Sequence, residues 1–353
     1  MSQIEKLRSQ MIAKGLDGLF IMSPYNRRYI SGFTGTAGAV LVTGEAAIFL
    51  TDFRYTEQAA AQAEGFTIIQ HTKSLFEEAM GQAETLGVRT LGFEKEYISY
   101  QEFELLQKHF NGTLEPVAGL VENLRLIKTE SEIKILKEAC DIADAAFKHI
   151  LDFLKPGAKE IDVSNELEFF MRKCGAASSS FDIIVASGAR SALPHGVASE
   201  KEIESGDFVT LDFGAYYKGY ASDITRTVAV GEPTDQLKEI YAVVLEAQMA
   251  AVDQIKPGMT GKEADAVTRD IISSRGYGDA FGHSTGHGLG LEVHESPRLS
   301  VMNDKPLQSG MVVTVEPGIY LPGIGGVRIE DDIILTDGGN ELLTHSTKEL
   351  IIL

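Results

Sequence analysis

A two-domain α/β protein, with a small α/β domain followed by a larger one built as a duplicated α/β unit, is what this amino-acid sequence predicts. Three observations carry the prediction. The chain has 353 residues, too many for one ordinary core and enough for two domains. Its first third alternates short strand-like runs with helical patterns, which makes a small domain with a mixed sheet. Its remainder repeats one order of elements: an amphipathic helix, a Lys-Pro-Gly stop, a second helical pattern, then a strand carrying an acid. Lys155 precedes Asp212 by 57 residues and Lys256 precedes Glu316 by 60. Lys-Pro-Gly is a common helix stop, so the matching order, more than the tripeptide, points to duplication and to two sheets meeting at one site.

In chain order, Ile4, Leu7 and Met11 recur at helical spacing and Gly15 sits where a helix ends. Leu19 to Met22 reads as a strand, and Ala39 to Val42 with Ala46 to Thr51 as a hairpin across Thr43-Gly44-Glu45. A helix from Thr56 to Ala63 follows, then strands at Thr67 to Gln70, Val88 to Phe93 and Leu114 to Val117. The segments Asn26 to Phe33 and Thr51 to Tyr55 are unusual in composition; a role in loop packing or a domain interface outweighs substrate contact for both. The boundary falls near Val121 to Lys128, giving domains 1–122 and 123–353. Thr129-Glu130-Ser131-Glu132 is a capping box that opens a helix with apolar positions from Ile133 to Leu154. Its counterpart in the second half runs from Thr234 to Ile255, and the helices after the two stops span Asp162 to Cys174 and Lys262 to Arg275.

Composition excludes several classes. Hydrophobic residues at 44% and charged residues at 24% describe a globular chain. With 51 acidic against 32 basic residues, the formal charge is −19, which disfavours nucleic acid as a partner and suits attraction of cations. Cys140 and Cys174 are too few for a disulfide framework and form no Cys-x-x-Cys pair, so a reducing cytoplasm is expected. The start of the chain lacks the apolar core of a signal peptide, and no apolar run has membrane-spanning length.

The chemistry is concentrated in a predicted hairpin. Val209, Leu211 and Phe213 alternate with Thr210, Asp212 and Gly214, and beyond Lys218-Gly219 the alternation resumes with Asp223, Thr225 and Thr227. If Lys218-Gly219 is the two-residue turn, Tyr217 pairs with Tyr220 and Asp212 faces Thr225, with Asp223 its diagonal neighbour. Diagonal partners lie about 7–8 Å apart, within reach of carboxylates that converge on an ion. Two acids so close repel one another unless a cation separates them or one is protonated. The second half supplies more ligands. His283-Ser284-Thr285-Gly286-His287-Gly288 places histidines among glycines, Glu316 ends a strand, and the alternating run Val327 to Ile333 sets Arg328, Glu330 and Asp332 on one face.

The set Asp212, Asp223, His287, Glu316 and Glu330 resembles the five-ligand dimetal site of the pita-bread metallopeptidases, the family of methionine aminopeptidase, aminopeptidase P and Xaa-Pro dipeptidase. The surrounding motifs, Leu211-Asp212-Phe213-Gly214, Ser222-Asp223-Ile224-Thr225-Arg226-Thr227, Val315-Glu316-Pro317-Gly318 and Val327-Arg328-Ile329-Glu330-Asp331, are similar to the proline-specific branch. The resemblance covers the full chain. It implies a creatinase-like N-terminal α/β domain, a pita-bread catalytic domain and, as is common in the family, a homodimer. It also implies two divalent cations, manganese first with cobalt or zinc as alternatives, and hydrolysis by a water held between them. Four carboxylates and one imidazole form an oxygen-rich set suited to such metals. The resemblance makes Glu316 the proton shuttle as well as a ligand. It assigns His195, His283 and His294 to substrate binding and to stabilising the tetrahedral intermediate, and Arg328 and Tyr320 to orienting ligands and water. For His283 and His294 a structural loop role is the alternative; His71, His109, His149 and His345 fall in no such cluster.

The implied activity is removal of one N-terminal residue from proline, as an Xaa-Pro dipeptidase or, alternatively, as an aminopeptidase P on longer peptides. Arg298 is the candidate partner for the carboxylate of a dipeptide, with a surface arginine as the other reading. An N-terminal domain argues against methionine aminopeptidase, and intact ligands argue against creatinase and against a non-catalytic binding module. Asp212-Phe213-Gly214 spells a kinase metal motif, but no glycine-rich phosphate loop accompanies it. The glycines after His287 lack the spacing of a dinucleotide loop, and Pro297 breaks the would-be zincin helix at His294.

Overall fold

In the computed structural model, which describes residues 2–353, Ser2 and Glu5 cap the first helix through reciprocal hydrogen bonds. That helix, α1 (Gln3–Ala13), precedes β1 (Gly18–Ile21), α2 (Pro24–Ser31), β2 (Ala39–Thr43), β3 (Ala47–Thr51) and α3 (Thr56–Gln62). Then come β4 (Thr67–Gln70), α4 (Leu75–Thr85), β5 (Thr90–Glu94), α5 (Tyr100–His109), β6 (Thr113–Val117) and α6 (Glu122–Arg125). The strands form one mixed sheet in the order β4-β3-β2-β1-β5-β6. Phe20, Leu41, Leu50 and Leu91 bury one of its faces against Phe76, Met80 and Leu106 of the helices, at about 1.5–3 kcal/mol for each large side chain.

Two expectations change in this unit. The segment from Asn26 is helical because Ser23 caps it and Pro24 occupies the first turn, where its missing N–H costs nothing. Its polar side chains serve packing: Arg27 donates to the carbonyls of Gly35 and Gly38, and Asn26 donates to Glu94 and Glu122. The strand expected from Val88 begins at Thr90, because α4 closes through the left-handed Gly87 and Val88 donates back to Ala83. Arg125 donates to Asn26, so α6 belongs to this unit, which ends at Arg125.

The second unit, Leu126–Leu353, opens with α7 (Glu130–Ile150), capped by Thr129 and Glu132. It continues through α8 (Glu160–Lys173), β7 (Ser178–Ser179), β8 (Ile184–Ser187), β9 (Asp207–Phe213), β10 (Ala215–Tyr217), β11 (Tyr220–Ala221) and β12 (Ile224–Val230). The second half has α9 (Asp235–Gln254), α10 (Gly261–Ser274), β13 (Gly286–Gly288), β14 (Glu295–Leu299), β15 (Val312–Val315), β16 (Gly318–Leu321), β17 (Gly325–Arg328), β18 (Asp331–Thr336) and β19 (Gly339–Leu342). Helix α7 stops at Ile150, short of the expected Leu154, which is buried beyond the helix end. Gly157 and Gly258 of the two Lys-Pro-Gly stops both adopt the left-handed conformation, at φ +86° and +93°. Two sheets matter for the site: β12-β9-β8, and β14-β13-β15-β18-β19.

Candidate metal centre

The hairpin has the predicted register but not the predicted continuity. Lys218 and Gly219 both take positive φ, as a two-residue turn requires, Tyr217 pairs with Tyr220, and Asp212 pairs with Thr225. Between these pairs the ribbon breaks, so that β10 joins β7 while β9 joins β8. Gly214 permits the break, since a Cβ there would lie 1.7 Å from the Ser222 carbonyl oxygen. Ser180 Oγ donates to that carbonyl, and Ser222 Oγ accepts the Ala215 N–H. Asp223 sits in the gap between β11 and β12, where its N–H donates to Asp332 Oδ2 at 2.9 Å.

The expected single strand from Val327 to Ile333 is also broken. β17 pairs with β16, β18 pairs with β15, and Ile329 and Glu330 lie between them. The Glu330 N–H donates to the Thr225 carbonyl, which draws the residue across to the first-half hairpin. Arg328 and Glu330 therefore line the cavity, whereas Asp332 lies behind Asp223 with the Cys140 thiol 3.4 Å away. His287 stands on β13 opposite Arg298, and its N–H donates to Thr314 Oγ. The glycines beside it let strands approach: Cβ atoms at 286 and 288 would lie 2.0 and 2.1 Å from the carbonyl oxygens of Thr314 and Ser296.

Asp212, Asp223, His287, Glu316 and Glu330 all line one cavity of about 450 Å³. Ligand atoms of Asp223, His287 and Glu330 lie within 4.8 Å of one another. His287 Nδ1 is 3.1 Å from the Gly288 carbonyl, so Nδ1 carries the proton and Nε2 turns a lone pair to the acids. From Nε2 it is 3.3 Å to Glu316 Oε1 and 3.7 Å to Asp223 Oδ2. Burial, with His294 and Arg298 nearby, pushes the His287 pKa down to about 3, so the ring is neutral. Burial pushes Glu316 up to about 8, with Asp212 adding to it against the pull of Arg328. Burial and then the neighbouring acids raise Asp223 and Glu330 well above the carboxylate range. The oxygens Asp212 Oδ1, Asp223 Oδ1 and Glu330 Oε1 are buried without a hydrogen-bond partner. Buried acceptors gathered so closely, three of their oxygens without a partner, fit divalent cations.

A chain of donors surrounds this cluster. Thr225 Oγ donates to Glu330 Oε2 at 2.6 Å and accepts from Arg328 Nε. The Arg328 guanidinium also contacts Asp212 Oδ2, the Pro194 carbonyl and the Tyr320 hydroxyl. Tyr320 in turn lies 2.8 Å from His283 Nε2, while His283 Nδ1 faces the Ser284 carbonyl. Burial, then Arg328, lowers the His283 pKa to about 4 and keeps the ring neutral. Tyr320 is buried behind His283; His195, His283, His294 and Arg298 line the cavity itself. The His294 ring meets His287 edge-on, with centroids 4.4 Å apart. His149 is elsewhere, bonded to Glu166 and stacked on Phe170.

Sequence reading missed Phe181, Asp182, Ile184 and Val197, which also line the cavity. No periodicity marks them, because Phe181 and Asp182 stand on the approach to β8, Ile184 opens that short strand, and Val197 lies in the loop after it. Thr225, which holds Glu330, lay in a quoted motif, and Thr314, which holds His287, lay just before one; both passed as ordinary strand residues.

The chain matches the metallopeptidase family M24 over residues 134–337 and the creatinase/prolidase N-terminal domain over residues 3–127. It belongs to metallopeptidase family M24, with a creatinase-type N-terminal domain and a pita-bread catalytic domain, and the family implies divalent metal ions. It is similar to an Xaa-Pro dipeptidase of Bacillus anthracis of known structure, at 63% identity, TM-score 0.98 and 99% of each chain. An Xaa-Pro dipeptidase of Pyrococcus horikoshii is 44% identical over 99% of this chain and 98% of that protein. The structure of an X-Pro aminopeptidase from Thermotoga maritima is similar at 40% identity and TM-score 0.92 over the whole of both chains.

Proposed function

We propose that this enzyme is an Xaa-Pro dipeptidase whose two metal ions are held by Asp212, Asp223, His287, Glu316 and Glu330. The observation that carries the reading is the convergence of these residues on one cavity, with unpartnered buried oxygens on Asp212, Asp223 and Glu330. Similarity to Xaa-Pro dipeptidases supports the substrate. Two divalent cations held there, manganese first with cobalt or zinc as alternatives, would supply a lowered pKa for the attacking water and positive charge for the developing oxyanion.

The chain's own residues position and move protons. Glu316 takes the proton of the attacking water and delivers it to the prolyl nitrogen as the bond breaks. Arg328 fixes Asp212 and Tyr320, and Tyr320 fixes the neutral tautomer of His283. His195, His283 and His294 meet the peptide from the cavity wall, and Arg298 receives the carboxylate of the proline. The same reading makes the protein a cytoplasmic homodimer. Family resemblance and the free cysteines Cys140 and Cys174 support it, and mass measurement by light scattering checks the dimer.

Hydrolysis of an Xaa-Pro dipeptide and its matching Xaa-Pro-Xaa tripeptide, side by side after chelation and Mn²⁺ return, tests this function. The dipeptide is cleaved and the tripeptide is not. Arg298→Ala raises KM for the dipeptide by about tenfold or more, the loss expected for one charged hydrogen bond. Efficient cleavage of the tripeptide, untouched by the substitution, establishes instead an aminopeptidase P, the reading favoured by the similarity to the Thermotoga protein. Cleavage of neither rejects the substrate assignment.

A further inference from the structure

The cavity wall that carries His195 is a loop, and one buried acid ties both of its ends. Glu160 opens α8 and is fully buried, 35 residues before His195 and outside every motif of the metal centre. Its Oε1 accepts from Ser187 N at 2.7 Å and Ser187 Oγ at 2.9 Å, where β8 ends and the loop begins. Its Oε2 accepts from Ser199 N at 3.1 Å and Ser199 Oγ at 2.6 Å, where the loop returns. Arg190, inside the loop, donates Nε to Oε2 at 3.0 Å and reaches across to the Val197 carbonyl at 2.7 Å. The backbone repeats the tie, since Glu160 N donates to the Lys201 carbonyl and Ile161 N to that of Ser199.

On the far side the loop is anchored to the catalytic groups. Arg328 donates to the Pro194 carbonyl at 3.2 Å, and Gly326 N donates to Ser191 Oγ at 2.8 Å. Between these two sets of ties, Pro194, His195 and Val197 face the cavity. A carboxylate accepting only from N–H and O–H donors cannot be replaced by an amide without opposing two donors, so charge and shape are both used.

We propose that Glu160 is a positioning residue for substrate: it clamps residues 187–199 so that His195 and its neighbours hold the peptide. The proposal rests on the reading of His195 as a peptide-binding group. Glu160→Gln keeps the volume and turns one acceptor into a donor. It raises KM for an Xaa-Pro dipeptide by about fivefold or more while kcat and bound metal stay within about twofold. In the same protein, amide hydrogen exchange across residues 188–198 quickens by about tenfold or more, with α9 and β15 unchanged. Ser199→Ala, which removes a single hydroxyl from the clamp, moves both readouts in the same direction by less. In the His195→Ala background, Glu160→Gln adds little to KM, because both act through one contact.

Exchange that is unchanged in the loop, or raised throughout the unit, overturns the proposal, as does a loss of stability with KM unaltered. Should the wild-type protein fail to cleave any Xaa-Pro peptide, the peptidase reading falls. The clamp is then decided by exchange alone.

Discussion

Replacing Glu316 with Gln lowers kcat on an Xaa-Pro dipeptide by about 10²–10⁴-fold, the contribution of a positioned proton-transfer group. Glu316 follows β15 directly, and its N–H is fixed to the Thr285 carbonyl at 2.8 Å. Its Oε1 meets Thr314 Oγ and His287 Nε2, each at 3.3 Å. Gln retains the shape and the reach but cannot carry the proton. Because Glu316 is also a proposed ligand, metal content is measured in the same sample under saturating Mn²⁺. Lost turnover with retained metal isolates the proton transfer, whereas unaltered turnover contradicts the role.

The largest expected effect on stability lies beneath the site. Arg226 is among the largest fully buried side chains and pairs with Asp331 at 2.7 Å, each about 1% exposed. It also donates to the carbonyls of Thr225, Glu330, Ser346 and Thr347, joining both halves of the metal centre to the last residues of the chain. Although burial works to raise the Asp331 pKa, Arg226 and Lys348 hold it below the usual carboxylate range. Arg226→Met leaves that acid with Lys348, Gln248 and the Thr344 hydroxyl. Breaking a buried pair from one side costs about 3–5 kcal/mol, so the urea midpoint falls accordingly with the m-value unchanged. A loss under about 1 kcal/mol would show that Lys348 suffices to compensate Asp331.

Local rules carried the sequence reading as far as local rules reach. The pairing of Tyr217 with Tyr220 and of Asp212 with Thr225 was legible because a two-residue turn fixes register and alternation fixes the face. The capping box at Thr129 and the stops at Gly157 and Gly258 were legible for the same reason. The breaks at Gly214 and Ile329-Glu330 were not. At Gly214 the Ser222 carbonyl crosses the ribbon, held by Ser180 from outside the hairpin, and at Glu330 the Thr225 carbonyl of the other half draws the chain across; alternation encodes neither contact. Glu160 was invisible on similar grounds, since an acid in the first turn of a helix ordinarily faces solvent and complements the helix dipole. Asp332 shared the alternation of Glu330, yet the break between them sent it behind Asp223. The four acids and one histidine of the proposed centre were read from motifs, and folding explains their convergence on one cavity: Asp212 and Asp223 from one half, His287, Glu316 and Glu330 from the other.

Calorimetric titration of Mn²⁺ into the chelated protein tests the two-metal centre most directly. Burial and neighbouring acids raise Asp223 and Glu330, and burial pushes Glu316 up to about 8, so the metal-free cluster holds a proton on Glu316 at pH 7 that cations must displace. Two ions bind per chain, protons are released in proportion when buffers of different ionisation enthalpy are compared, and affinity rises with pH toward about 8, where Glu316 gives up its proton unaided. A folded protein that takes up one ion or none, or binds without releasing protons, contradicts the account.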